Sequence, residues 1–197
     1  MKSRLVLFSA LFFLSSFTVA QVKYEKEERI PIDDLPSVVQ ALLPQLQFNA
    51  KRIRYYREFD GDKESYEVKF KKHGTHFSIE FSQDGSLEDI EMLIKKSDLP
   101  SSVMTSLNDT FPRCKLTRIQ KQFVHPKDAD PANTLRIVLS DHHDALNHKL
   151  IDEANYEIEA QCVTKNGLQK KELLFSSGGK LLSTRTIIAE ADDHIIY

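Results

Sequence analysis

Residues 98–111 read DLPSSVMTSLNDTF, and residues 34–46 read DLPSVVQALLPQL, so the same phrase opens two segments 64 positions apart. Apolar residues in both fall at helical spacing: Leu35, Val38, Val39, Leu42, Leu43 and Leu46 in the first, Leu99, Val103, Leu107 and Phe111 in the second. Asp34 and Asp98 stand where an N-cap belongs, and Pro36 and Pro100 follow in the first turn, where a missing N–H costs nothing. The likeness outlives the phrase. A shift of 64 aligns Asp34 to Phe59 with Asp98 to Phe123 without a gap, matching Leu43 to Leu107, Lys51 to Lys115, Arg54 to Arg118 and Phe59 to Phe123. Further on, SYEVKF (65–70) resembles NYEIEA (155–160), and FSQDGSL (81–87) resembles FSSGGKL (175–181).

These later pieces read as strands. Tyr66, Val68 and Phe70 alternate with Glu67 and Lys69, and Phe77, Ile79 and Phe81 alternate with Ser78 and Glu80. Turn signals separate them: Asp60-Gly61-Asp62, Lys72-His73-Gly74 and Gln83-Asp84-Gly85, then Asn166-Gly167 and Ser177-Gly178-Gly179. The pattern predicts an α+β chain of two tandem repeats, residues 31–97 and 98–190, each a helix packed on an antiparallel sheet of about four strands. The first strand of the meander is placed near Ile53 to Phe59 and the last near Leu87 to Ile94, with the sheets free to join into one extended surface. The helix covers the apolar face, and the other face meets water or a partner. Residues 21–30 read as a charged lead and 191–197 as a tail.

The copies disagree in one place. DGDKES joins Phe59 to Tyr66, whereas residues 124–155 separate Phe123 from Tyr156. This insertion opens with the loop VHPKDADPAN, continues with the strand-like Leu135 to Leu139, and ends in SDHHDALNHKLIDEA, which suits a short helix capped by Ser140 or Asp141. An elaborated loop on a repeated scaffold is a natural place for function.

Residues 1–20 carry Lys2 and Arg4, an apolar run from Leu5 to Leu14, and small residues ending at Ala20. That is the pattern of a secretory signal cleaved near Ala20, which predicts a periplasmic or secreted protein. The polar stretch that follows is no stop-transfer segment, so no transmembrane segment is expected after cleavage. Neither cysteine lies near the cleavage point, which argues against a lipid anchor there. With Lys2 and Arg4 removed, acidic residues outnumber basic ones by about four, and both signs are interspersed. Nucleic acid is therefore excluded as a partner. Cys114 and Cys162 permit one disulfide, the alternative being two buried free thiols.

An export signal, a helix opening with Leu-Pro after an acidic residue, and a hairpin closing on a D-G or G-G turn together resemble the PepSY-like domains of exported bacterial proteins. Ile30-Pro31-Ile32-Asp33-Asp34-Leu35-Pro36 and Phe81-Ser82-Gln83-Asp84-Gly85-Ser86-Leu87 carry the resemblance. It implies a noncatalytic extracytoplasmic module of the kind common in the Bacteroidetes, similar in architecture to the beta-lactamase inhibitor protein, itself a tandem repeat. Peptidase inhibition or ligand binding is proposed for such relatives. No binding residue carries over, and the 124–155 insertion departs from the pattern.

Candidate sites are few. Asp141-His142-His143-Asp144 with His148 is a cluster of metal-ligand type, in which Asp144 and His148 would share a helical face. His142 and His143 point apart on a helix, and no H-E-x-x-H occurs. G-x-S-x-G and a phosphate-binding loop are also missing, so no enzyme and no cofactor are expected. KRIRYYREF (51–59) places Ile53, Tyr55, Arg57 and Phe59 on one strand face and Arg52, Arg54 and Tyr56 on the other. Arginine and tyrosine are hot-spot residues; the alternative is a solvated face paired across strands with acids such as Glu67.

The sequence reads as a noncatalytic extracytoplasmic binding protein. It would recognise a protein, peptide or envelope ligand through the open sheet face and the insertion, with hydrolase inhibition as one form of that role. Candidate binding residues are Arg52, Arg54, Tyr56, His142, His143 and His148. The rivals are a metal-dependent enzyme using the Asp141 to His148 cluster, and a structural envelope protein.

Overall fold

Period-two alternation of apolar and polar residues runs through most of the chain, and strands form wherever it holds. The computed structural model describes residues 21–45, 50–140 and 153–189. Nine strands follow in order: β1 (Gln21–Ile30), β2 (Lys51–Asp60), β3 (Lys63–Lys72), β4 (Thr75–Ser82), β5 (Leu87–Leu93), β6 (Cys114–Val124), β7 (Asn155–Thr164), β8 (Gly167–Ser176) and β9 (Leu181–Ala189). Three short helices, α1 (Ser37–Leu42), α2 (Ser101–Thr110) and α3 (Pro131–Leu139), lie between them.

Each strand pairs antiparallel with the next, and β1 also pairs parallel with β9, from Gln21 opposite Arg185 to Glu25 opposite Ala189, closing the sheet into a barrel. This corrects the expected fold class. The chain is mostly sheet, closed on itself, and it is not two repeats of a helix on a four-stranded sheet. The strands predicted around Ile53 to Phe59 and Leu87 to Ile94 are present, but β5 pairs with β6, Ile90 opposite Phe123, so no boundary divides the sheet. The charged lead is itself β1. Closure has a plain physical advantage, because every separate sheet would leave two edges of unpaired backbone groups.

One face of the sheet is apolar and turned outward under the helices. Leu35, Val39 and Leu43 from the first helical segment and Leu135, Val138 and Leu139 from α3 pack with Val68, Phe70, Ile79, Phe81, Ile90 and Phe123. Leu99, Val103 and Leu107 pack with Ile119, Ile158, Leu173 and Phe175 in a second cluster. The two helical stripes occupy corresponding positions, while Val38 is exposed and Leu46 lies outside the described residues. The caps differ from expectation. Asp34 and Asp98 end 3-10 turns, and Pro36 and Pro100 themselves take the N-cap position with no side-chain cap. Asp98 Oδ2 instead accepts from the Lys95 backbone N–H at 3.0 Å.

Residues 135–139 form a helix, not a strand. Thr134, Leu135, Val138 and Leu139 are buried at helical spacing, and Asp130 caps the helix by accepting from the N–H groups of Ala132 and Asn133, with Pro131 in the first turn. Ser140 is the C-cap of α3. The short helix expected after it, with Asp141 as the other candidate cap, falls on residues 141–152, outside the described range.

The hairpin turns dock on the helix starts. Gly85 and Gly179 both have positive φ, and a Cβ on Gly179 would stand 2.5 Å from the Ser102 carbonyl oxygen and 2.7 Å from its carbon. Ser102 Oγ donates to the Ser177 carbonyl at 2.8 Å, tying α2 to that turn. Cys114 and Cys162 face each other across β6 and β7 and are joined by a disulfide, closing a sequence separation of 48.

Two outcomes follow from this packing. Gly179→Ala is expected to cost more than about 1 kcal/mol in urea denaturation, since it meets both a left-handed φ and a backbone clash. Gly178→Ala, whose Cβ would have its nearest neighbour at 3.9 Å, should be close to neutral; equal costs would contradict the docking. Replacing both cysteines by serine should remove about 4 kcal/mol on the chain-entropy argument, and a loss below about 1 kcal/mol would mean the bridge constrains little.

Candidate functional site: the polar lumen and its cationic mouth

The second face of the sheet carries the charged half of each alternation, and closure turns it inward. Lys23 of β1 lies close enough to influence Glu80 of β4, Glu80 acts on Glu157 of β7, and Glu67 of β3 acts on Arg118 of β6, each pair with two strands between them. The expected water-facing or partner-facing sheet surface is therefore the barrel's inner wall. Ion pairs line it: Lys23 Nζ to Glu172 Oε2 at 3.0 Å, Arg185 Nη2 to Glu172 Oε1 at 2.6 Å, Arg185 Nη1 to Asp60 Oδ2 at 2.9 Å, and Lys69 Nζ to Glu67 Oε2 at 2.8 Å.

At one end the lumen opens into a cavity of about 340 Å³ lined by Arg52, Arg54, Tyr56, Lys69, Arg118 and Gln120, with Phe70 and Phe77 among its apolar walls. The strand register explains this convergence. Arg54 opposes Lys69 and Tyr56 opposes Glu67 across β2 and β3. Irregularities lie between Lys51 and Arg54 in β2 and between Leu116 and Arg118 in β6, so both corresponding arginines follow a bulge. Bulges re-aim side chains, and Arg52 sits within the first with φ of 58°. That departs from the simple alternation read from KRIRYYREF, in which Arg52 and Arg54 share a face by spacing alone. Lys69 Nζ lies 4.9 Å from the Tyr56 ring centroid and 2.5 Å from Glu27 Oε1.

The mouth is basic and the deeper wall is acidic. Burial works against the Lys69 charge, but Glu67 and Glu27 outweigh it and raise its pKa; Arg118 is likewise raised by Glu91 and Glu159 against burial. Among the carboxyls, burial first and Glu67 second push Glu80 up to about 7, and burial with Glu172 pushes Glu157 up to about 8. Burial, reinforced by Glu67, pushes Glu58 up to about 10. Asp89 and Glu91 are raised well above the carboxylate range, again by burial first, then by Glu80 and Glu157 respectively. Two trios, Glu27 with Glu58 and Glu67, and Glu80 with Asp89 and Glu91, bring carboxylate oxygens within 4.8 Å of one another.

Of the residues singled out in the sequence, Arg52, Arg54 and Tyr56 meet at this cavity. His142, His143, Asp144 and His148, with the whole Asp141 to His148 cluster, lie outside the described residues. Sequence reasoning missed Lys69, Arg118 and the buried acids. The match of Arg54 to Arg118 was the available signal for one of them.

The raised carboxyls fix a sign for pH dependence. Their folded pKa lies above the unfolded one, so the stability they contribute is fully present below about pH 4.5 and is lost as pH rises through about 7 to 8. In chelator-containing buffer, the urea midpoint should fall between about pH 6 and pH 9, and Glu80→Gln should flatten that fall. A midpoint that rises over the same range would contradict the buried acid wall.

Comparison with known proteins places this architecture. The family described as "Putative beta-lactamase-inhibitor-like, PepSY-like" matches residues 20–89 and 64–127, overlapping segments that together span more than half of the chain. No curated protein matches it. Among solved structures, a DUF2874 family protein from Bacteroides ovatus superposes with a TM-score of 0.51 at 15% identity, covering 78% of this chain and 89% of that one. A DUF2874 family protein from Bacteroides uniformis gives 0.50 at 12%, with coverages of 77% and 89%. A structure described as a periplasmic protein, from Bacteroides eggerthii, gives 0.50 at 14%, with 77% and 88%. At these identities the likeness is one of fold. No helix among the described residues is long and apolar enough to cross a membrane. Through the matched segments, which take in β1 to β6 and both helices that follow a DLPS phrase, the chain belongs to the PepSY-like, beta-lactamase-inhibitor-like family.

Proposed function

We propose that the protein is a noncatalytic binding protein of the cell envelope, exported by a signal cleaved near Ala20, that takes an acidic segment of a protein or peptide partner into its cationic mouth. One observation carries the reading: Arg52, Arg54, Lys69, Lys71 and Arg118 converge with Tyr56, Phe70 and Phe77 on a single cavity of about 340 Å³. Arginine binds anions bidentately, and Glu67 and Glu27 hold Lys69 in its charged form, so this lining suits recognition better than acid–base chemistry. The half-buried Tyr56 ring supplies contact area beside the charge.

Closure limits how a partner approaches. A face enclosed in a lumen cannot lie flat against another protein, so recognition falls to the rim and to a segment narrow enough to enter. Hydrolase inhibition is the narrower form of this role, in which an acidic loop beside the hydrolase's own site enters the mouth. The 340 Å³ volume admits a few side chains, not a folded surface.

The test is fluorescence anisotropy with a panel of labelled peptides rich in Asp and Glu, matched against Lys-rich peptides of equal length. Wild-type protein should prefer acidic peptides, with binding that weakens as salt rises. Arg54→Glu with Arg118→Glu should lose about tenfold or more in affinity while remaining folded. Equal binding of both peptide classes, or no effect of the double reversal, would sink the reading.

A further inference from the structure

The inner wall treats its charge differently on the two sides of the barrel. The match of FSQDGSL to FSSGGKL puts Ser78, Glu80, Asp89 and Glu91 of β4 and β5 in correspondence with Glu172, Leu174, Ser183 and Arg185 of β8 and β9. On β8 and β9 the charge is balanced in place. Arg185 Nε donates to Glu172 Oε1 at 2.7 Å, and the same guanidinium reaches Asp60.

On β4 and β5 the balance is weaker: Lys23 and Lys63 act on Glu80 and Arg118 on Glu91, against three acids that also raise one another. Glu80 and Asp89 stand directly opposite each other across the ladder, and like charges so placed repel. Glu91 joins them, one oxygen of each lying within 4.8 Å of the others. Asp89 is only 8% exposed and Glu91 4%. Asp89 Oδ2 accepts from Gln122 Nε2 at 3.0 Å, but Oδ1 is buried with no hydrogen-bond partner among the described residues. Leaving a carboxylate oxygen buried and unpaired is costly. Glu91 Oε2 accepts from Gln120 Nε2 and, at 3.3 Å, from Ser78 Oγ. Lys63 and Arg118 form their ion pairs with Glu88 and Glu159, outside the trio. The other carboxylate trio differs, because Lys69 already sits 2.5 Å from Glu27 and 2.8 Å from Glu67.

We propose that Glu80, Asp89 and Glu91 are the protein ligands of a hard divalent cation, which supplies the positive charge that Arg185 supplies on the opposite side of the barrel. An all-oxygen carboxylate set selects Ca²⁺ or Mg²⁺ over softer metals, and an irregular set drawn from two strands suits the flexible shell of Ca²⁺ better than the strict octahedron of Mg²⁺. Gln120 and Gln122 hold the carboxylates from behind, as outer groups do in metal sites. The cation would tie β4 to β5.

The experiment is calorimetric titration of CaCl₂, and separately MgCl₂, into mature protein stripped with chelator and held near pH 7.5, together with thermal melts. The wild type should bind about one equivalent saturably, with a raised melting temperature and Ca²⁺ tighter than Mg²⁺. Asp89→Asn should weaken binding by at least about tenfold, yet melt no lower than the wild type in chelator, because its amide oxygen can still accept from Gln122 while its NH₂ donates toward the neighbouring acids. Glu91→Gln should also weaken binding. No saturable binding of either cation by folded wild type would overturn the proposal, as would wild-type binding by both variants, which would place the cation elsewhere. Should either variant not fold, Glu80→Gln at the half-buried member of the trio serves instead. Weakened binding supports the site, and wild-type binding overturns it.

Discussion

The parallel pairing of Gln21–Glu25 with Arg185–Ala189 decides what every other part of this molecule faces. Without it, the nine strands would be a curved sheet with one charged side in water, and the acids on that side would be ordinary surface groups. With it, the same acids are enclosed, their pKa values rise, and cations are drawn into pairs across the lumen. The seam itself is a backbone ladder, and polar contacts flank it on both sides. Lys23 of β1 reaches Glu172 of β8, Arg185 of β9 reaches Asp60 of β2, and the Tyr24 backbone N–H donates to Asp60 Oδ1 at 3.0 Å. Partly buried ion pairs add little net stability over well-packed apolar contacts, but they fix which strands meet.

This places the apolar core outside the barrel wall. The helices cover it, and two of them are registered by glycine turns whose close approach leaves no room for a side chain. The consequence for function is geometric. The polar face is reached only through an opening, so chemistry concentrates where strand bulges turn Arg54 and Arg118 toward that opening. A basic rim above an acidic wall also separates two roles: the rim attracts anions, while the wall has charge of its own to neutralise.

Much of this was legible locally. The alternation around Val68 and Ile79 located β3 and β4, and the 3.6-residue stripes located Leu35, Val39 and Leu43 with Leu99, Val103 and Leu107. Arg52, Arg54 and Tyr56 stood out by composition and do line the cavity. Closure was not legible, for a physical reason. A strand face turned toward a polar lumen has the same composition as one turned toward water, so Lys23 and Glu27 read as a solvated lead. Pairing of the first strand with the last leaves no local trace either. Leu135 to Leu139 misled because a branched apolar run fits a buried strand as well as a helix, and the decisive groups were Asp130 and Pro131 just before it. The Glu80, Asp89 and Glu91 cluster depended on cross-strand register, which periodicity does not supply.

The barrel is closed by its first strand. Amide hydrogen exchange resolved along residues 21–30 tests this closure. Slow exchange is expected for the β1 amides bonded to β2 and β9, with β1 and β9 losing protection together when the protein is destabilised. Exchange of residues 21–25 at the rate of an unstructured chain, with β2 to β8 still protected, would mean that the sheet is open and its charged face lies in water.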